Sequence, residues 1–88
     1  MKPPLQKLTE DELEALIEKE DYLEVGTTTI CLMRLNSGFQ LVGTSACINP
    51  DDFNEVFGKQ LARNKAFDRL WELEAYHRMR AHEKLDGL

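Results

Sequence analysis

Residues 49–85 read NPDDFNEVFGKQLARNKAFDRLWELEAYHRMRAHEKL, and this stretch decides the fold. It predicts one long helix over residues 50–85. Asn49 suits the N-cap, Pro50 the first helical position, and Asp51 and Asp52 the positive end of the macrodipole. Ile48 and Phe53 have the spacing of a hydrophobic staple. From Phe53 no proline interrupts the run, and Gly58 is the only glycine before Gly87. At about 100° per residue, Phe53, Val56, Phe57, Phe67, Leu70, Trp71 and Ala75 share one broad face. Ala62, Ala66, Leu73 and Tyr76 fall roughly opposite, as a second apolar strip.

A long helix needs something to lie on, and the preceding residues supply a hairpin. Thr27 to Leu35 is rich in β-branched residues and reads as a strand. Asn36-Ser37-Gly38 is a three-residue hairpin loop with Gly38 at the left-handed position. Phe39 to Ala46 returns. If Leu35 pairs with Phe39, then Met33 faces Leu41, Cys31 faces Gly43 and Thr29 faces Ser45. Met33, Leu35, Phe39 and Leu41 then share one face, and Ile30, Leu32 and Val42 the other. Neither face is cleanly polar, and a two-stranded ribbon is marginal alone. One face can pack on the helix; the other needs the first helix or a second copy of the chain.

Toward the N-terminus, Thr9 and Glu12 form a capping box and Leu8 and Leu13 a staple, which announces a helix over residues 9–20. Leu13, Leu16 and Ile17 would be its apolar stripe; Glu10, Asp11, Glu14, Glu18 and Asp21 would be its acidic face. Residues 1–8, with Pro3-Pro4, read as a flexible lead-in, Tyr22 to Val25 as a connector, and Gly26 as a turn. The expected fold is α+β in one domain over residues 1–88: a short N-terminal helix, a β-hairpin at 27–46 and a long C-terminal helix.

Composition narrows the function classes. The chain has 88 residues, 42% hydrophobic and 31% charged, as in an ordinary globular domain. Its net charge of −5 lies wholly in residues 1–24, and argues against direct nucleic-acid binding, which rests on neutralising phosphates. No apolar run is long enough to span a bilayer and no secretory leader appears. Cys31 and Cys47 do not make a disulfide framework; the register holds them roughly 13 Å apart, beyond the about 7 Å that a bridge allows. A cytoplasmic protein with reduced thiols is the expectation.

The stretch from Gly43 to Tyr76 carries a resemblance. Ser45-Ala46-Cys47, Ala62-Arg63-Asn64 and Trp71 with Leu73-Glu74 are its most specific parts. It resembles a family of small tailed-phage proteins, also found in prophages, typified by uncharacterised gene products of an N4-like coliphage and a Shigella podovirus. The match covers most of residues 9–76. It departs at Lys65-Ala66, which sets the alanine one residue further from Asn64, and in a longer, more basic tail after Tyr76. The resemblance implies a phage or prophage origin and, the family being of unknown function, no activity.

Residues that could carry chemistry are few. Asn64 reads as an amide bonded to backbone near Ser45 or Cys47, or else, with Arg63 and Ser45, as part of a binding pocket. Glu74 and His77 have the i, i+3 spacing of carboxylate-bridged metal sites, but one such pair is far short of the set that a site needs. No phosphate loop, Ser-His-Asp set or Cys-x-x-Cys occurs, and neither cysteine has a histidine in easy reach. No enzyme activity, metal or cofactor is expected. The bases from Lys59 to Lys84 read as a salt-bridged surface.

A 36-residue helix would be about 54 Å long, more than one hairpin can cover. Ala62, Ala66, Leu73 and Tyr76, with Trp71, therefore predict a homodimer through the helices. The expected function is that of a non-enzymatic phage accessory protein, acting in the host bacterial cytoplasm, that binds and modulates a host protein, in an anti-defence role for example. Two alternatives stand beside it: a small-ligand or nucleotide sponge with sites at an oligomer interface, and an acidic DNA mimic.

Overall fold

A computed structural model describes residues 6–86. The order of elements is α1 (Glu10–Glu14), β1 (Ile17–Val25), β2 (Thr28–Leu35), β3 (Gln40–Ala46), a 3-10 turn (Pro50–Asp52) and α2 (Glu55–Asp86). The strands form an antiparallel meander in the order β1-β2-β3, and α2 lies along one face of it. The fold is α+β, with a short helix, a three-stranded sheet and a long C-terminal helix.

The hairpin forms in the expected register: Met33 opposes Leu41, Cys31 opposes Gly43 and Thr29 opposes Ser45. Gly38 takes φ +93°, its N–H donates to Leu35 O at 2.8 Å, and Leu35 N–H donates to Phe39 O at 2.9 Å. Side chains of β2 alternate: Thr29, Cys31, Met33 and Leu35 are buried under the helix, while Ile30 and Leu32 face the other way.

The first helix is much shorter than the expected 9–20. Thr9 does cap it, accepting from Glu12 N–H at 3.3 Å, but the helix ends at Glu14. Ala15 C=O accepts from Asn36 Nδ2 at 2.8 Å, and Leu16 C=O accepts from Asn36 N–H at 2.9 Å. The chain is thereby tied to the β2–β3 turn, and residues 17–25, read as helix end and connector, become a nine-residue strand. The reason is tertiary. Without β1, one edge of the central strand would leave its backbone groups unpaired. A bulge between Ile17 and Lys19 starts the new strand, and Gly26, at φ +61°, makes the tight turn into β2.

The start of the long helix is also displaced, from residue 50 to residue 55. Asn49 Oδ1 accepts from Asp51 N–H at 3.0 Å, but caps only the 3-10 turn. Phe53 is extended (ψ 125°), and Asn54 Oδ1 makes a second cap by accepting from Phe57 N–H at 3.1 Å. Ile48 is fully exposed, so the expected staple with Phe53 is not made.

The buried face of α2 is the largest correction. Ala62, Ala66 and Leu70 are buried, whereas Val56, Phe57 and Trp71 are exposed. Phe67 and Ala75 pack only at the margin of the core. The cause lies at Gly43: a Cβ built there would fall 2.1 Å from Ala62 O and 2.5 Å from Ala66 N, so the helix backbone rests nearly on the strand. Only small side chains fit where two backbones approach so closely, and the large aromatics are rotated outward. The alanines expected at a subunit interface therefore belong to the core.

Leu8, Leu13, Met33, Leu35 and Leu41 complete that core. The expected flexible lead-in falls partly outside the described residues (1–5). Leu8, assigned to it, is buried, and Gln6 lines a small recess with Ala75, Arg78 and Met79.

Candidate interaction surface

Two arginines on the β1 side of α2 clamp the N-terminal segment. Arg63 Nη2 donates to both oxygens of Glu14 at 2.8 Å, and its Nε donates to Glu20. The Phe67 ring lies 5.4 Å from the same guanidinium. Arg78 donates to Glu12, and to Glu74 at 3.1 Å. The hydrogen bonds to Glu14 and then Glu20 raise the pKa of Arg63; those to Glu74 and then Glu12 raise that of Arg78. Such charge-assisted bonds fasten residues 12–20 to the helix.

Beside this clamp, Lys59 Nζ sits 5.8 Å from the centre of the Tyr22 ring. Burial, reinforced by the Cys31 thiol and Glu20, pushes the Tyr22 phenol up to about 12. Burial likewise raises the Cys31 thiol above its ordinary value. Cys31 is fully buried and packs in the core beneath α2.

The three residues expected to share a pocket are dispersed. Ser45 Oγ donates to Gly58 O at 2.7 Å beneath the helix. Arg63 is committed to Glu14 and Glu20 on the β1 side. Asn64 is exposed and accepts from Gln60 Nε2 at 3.2 Å, so it makes no bond to the hairpin backbone. Helical rotation is the reason: consecutive residues 63 and 64 point about 100° apart. The expected acidic face is also interrupted. Glu14 turns to Arg63, Glu18 lies 3.5 Å from Arg34 and Asp21 lies 3.7 Å from Lys19; Glu10 and Asp11 remain exposed in the first turn of α1.

Of the expected interface residues, Trp71, Leu73 and Tyr76 are exposed. Leu73 lines an open groove of about 380 Å³ with Leu35, Phe39, Leu70, Glu74 and His77. Among the described residues, no group of three His, Cys, Asp or Glu is placed to hold a metal ion, and no helix is long and apolar enough to cross a membrane.

The face of the sheet turned away from α2 is an exposed apolar surface. Leu23 opposes Ile30 and Leu32 opposes Val42, and Val25 lies at the end of the same face. Leu23, Val25 and Val42 are 58%, 60% and 50% exposed, where a second layer would have buried them. The sequence showed half of this surface. Ile30, Leu32 and Val42 alternate visibly, but Leu23 and Val25 were missed because β1 was not read as a strand. The alternation Tyr22-Leu23-Glu24-Val25 was the available signal. At the Ala46 end of β3 there is also a recess of about 180 Å³, walled by Phe53, Phe57, Leu61 and Cys47. Cys47 Sγ donates to Asn49 O at 3.0 Å there.

Comparison with known proteins adds one match. Residues 8–82 fit the family model described as phage protein (N4 Gp49/phage Sf6 gene 66) family. No curated protein and no solved structure matches the chain.

Proposed function

This chain belongs to the N4 Gp49/phage Sf6 gene 66 family of phage proteins, and from that premise we propose that it is a non-enzymatic accessory protein that binds and modulates a host protein in the bacterial cytoplasm. The observation that carries this reading is the uncovered outer face of the sheet. Leu23, Val25 and Val42 keep half or more of their surface in contact with water, flanked by Ile30 and Leu32. A contiguous apolar patch with a polar rim is the usual mark of a protein contact. Lys19, Arg34 and Gln40 supply that rim at one end, pairing across the strands as one row.

The two alternatives have less behind them. A nucleotide sponge would need Ser45, Arg63 and Asn64 to converge, and they point in different directions. A DNA mimic would need a continuous acidic strip, and Glu12, Glu14 and Glu20 are held by arginines. Self-association through α2 now rests on Trp71, Leu73 and Tyr76 alone. It is tested by light scattering, where a wild-type mass of twice 10.2 kDa should fall to that of one chain in Leu73→Asp.

Capture from bacterial lysate, with mass-spectrometric identification, tests the main reading. Wild type and the helix-surface control Val56→Lys should retain the same host protein, and Leu23→Lys should lose it. Equal capture by all three, or a thermal shift on adding nucleotides with no captured protein, would overturn the reading.

A further inference from the structure

The sheet has two edges and they are built differently. β1 is charged at Glu18, Lys19, Glu20, Asp21 and Glu24 and carries a bulge. Charge and bulges are the usual means of keeping an edge from pairing with another chain. β3, Gln40-Leu-Val-Gly-Thr-Ser-Ala46, has neither; it contains no charge, no proline and no register shift.

The hydrogen-bond phase of β3 follows from its ends. Leu35 N–H bonds Phe39 O at one end, and Cys47 N–H bonds Thr27 O, 3.0 Å, at the other. Bonded pairs alternate along an antiparallel ladder. Leu41, Gly43 and Ser45 therefore turn their N–H and C=O groups toward β2. Gln40, Val42, Thr44 and Ala46 turn theirs outward, and no strand of the described residues lies beyond β3. Four residues thus offer donors and acceptors in strand spacing along an edge that nothing blunts.

Two further features border this edge. Relative to buried Ala66, Arg63 lies about 60° toward β1, where it reaches Glu20, while Arg69, Lys65 and Glu72 lie about 60°, 100° and 120° to the opposite side, so two cations and one carboxylate border the β3 side of the helix. Lys65 and Arg69 are exposed and neither is ion-paired within the described residues. At the Ala46 end is the recess walled by Phe53, Phe57 and Leu61. Its volume of about 180 Å³ is below the roughly 300 Å³ at which small-molecule sites begin, and suits one apolar side chain.

We propose that the β3 edge is a strand-addition site for an extended, acidic segment of another protein, which pairs with Gln40, Val42, Thr44 and Ala46 and seats one apolar side chain in the Phe53–Phe57–Leu61 recess. Main-chain bonds supply affinity in this mode of recognition, and pockets and flanking charge supply specificity. A second copy is the poorer occupant. Pairing β3 with its twin would bring Lys65 and Arg69 against the same cations of the other helix. The inference rests on the host-protein reading above and extends its contact from the outer face of the sheet, which reaches β3 at Val42, onto the β3 edge.

The probe is a fluorescein-labelled octapeptide of alternating valine and glutamate ending in phenylalanine, titrated by fluorescence anisotropy. Its controls are a lysine counterpart and a copy N-methylated at alternate amides. The acidic peptide should bind at least tenfold tighter than either control. Thr44→Pro, which removes an outward N–H at a position where an edge strand tolerates proline, should weaken it at least tenfold. Lys65→Glu with Arg69→Glu, purely a surface change, should reverse the preference toward the lysine peptide. Amide shifts in wild type should concentrate on Val42, Thr44 and Ala46. No binding up to about millimolar peptide, equal binding of the N-methylated copy, or a dimer that Thr44→Pro dissolves would each overturn the inference. So would a captured host protein that Leu23→Lys loses but the Lys65/Arg69 double variant keeps, an outcome that leaves the host-protein reading standing.

Discussion

Gly43→Ala places one methyl group where the backbone of α2 already lies. The new Cβ would sit 2.1 Å from Ala62 O and 2.5 Å from Ala66 N, and the Ala66 methyl is only 3.0 Å away. The two nearest atoms belong to a helix backbone, which no rotamer change can move. To reach ordinary contact the helix must lift from the sheet by more than an ångström, loosening the packing of Leu70 against Leu41 and Met33 of the sheet. Overpacking of this kind costs about 1–3 kcal/mol, and backbone against backbone belongs at about 3. For a chain of this size that is a drop in melting temperature of about 12–24 °C. Thermal melts followed by circular dichroism, with urea titration, measure it. Gly26→Ala is the control: its φ of +61° makes alanine strained, at about 1–2 kcal/mol, but nothing lies within 4 Å. Adding Ala66→Gly to Gly43→Ala should restore little, since the closest contact is with a carbonyl oxygen. A Gly43→Ala melt within about 4 °C of wild type, or full rescue by Ala66→Gly, would refute the close-approach account of why the helix buries alanines.

Three other outcomes follow from the same geometry. Arg63→Ala leaves Glu20 half-buried without its partner and frees Glu14, and should cost about 2 kcal/mol; a double-mutant cycle with Glu20→Gln should show coupling, and additive losses would count against the clamp. Thr29 is fully buried and its hydroxyl bonds no other group among the described residues, so Thr29→Val should be neutral or raise stability by about 1 kcal/mol; a loss larger than that in urea titration would contradict the assignment. Tyr22 has a folded-state value raised from 10.0 to about 12. The folded protein holds that proton longer than the unfolded chain does, so the contribution of Tyr22 is fully present below pH 10 and is lost as pH rises through about 12. Ultraviolet titration should show a phenol ionising late, absent in Tyr22→Phe, and that variant should melt with a weaker dependence on pH between 10 and 12.

Local signals were legible wherever the chemistry was local. Asn36-Ser37-Gly38 specified the loop and, through it, the whole β2–β3 register, because a three-residue turn leaves one way to pair the strands. Thr9 marked a cap that forms. The helical character of the C-terminal third was equally plain from its unbroken length. Asn49 and Asn54 are both good caps, and the choice between them was not local: the first closes a single 3-10 turn, and the second starts the helix.

The family resemblance, the α+β class, the hairpin register and the acidic bias of the first 24 residues were all determined by the sequence alone, since each depends on neighbours within a few positions or on composition. Only the tertiary structure decided the rest. Residues 17–25 carry a pattern open to helix or strand, and the unpaired edge of β2 made them a strand. Helical periodicity separates two faces of α2 but does not say which is buried; the bare backbone at Gly43 chose the alanine face, because a close approach of helix to strand excludes large side chains. The candidate site moved for the same reason. Once the alanines are buried, Arg63 turns to β1, Asn64 turns to solvent, and the surfaces left for a partner are the outer face of the sheet and the edge of β3.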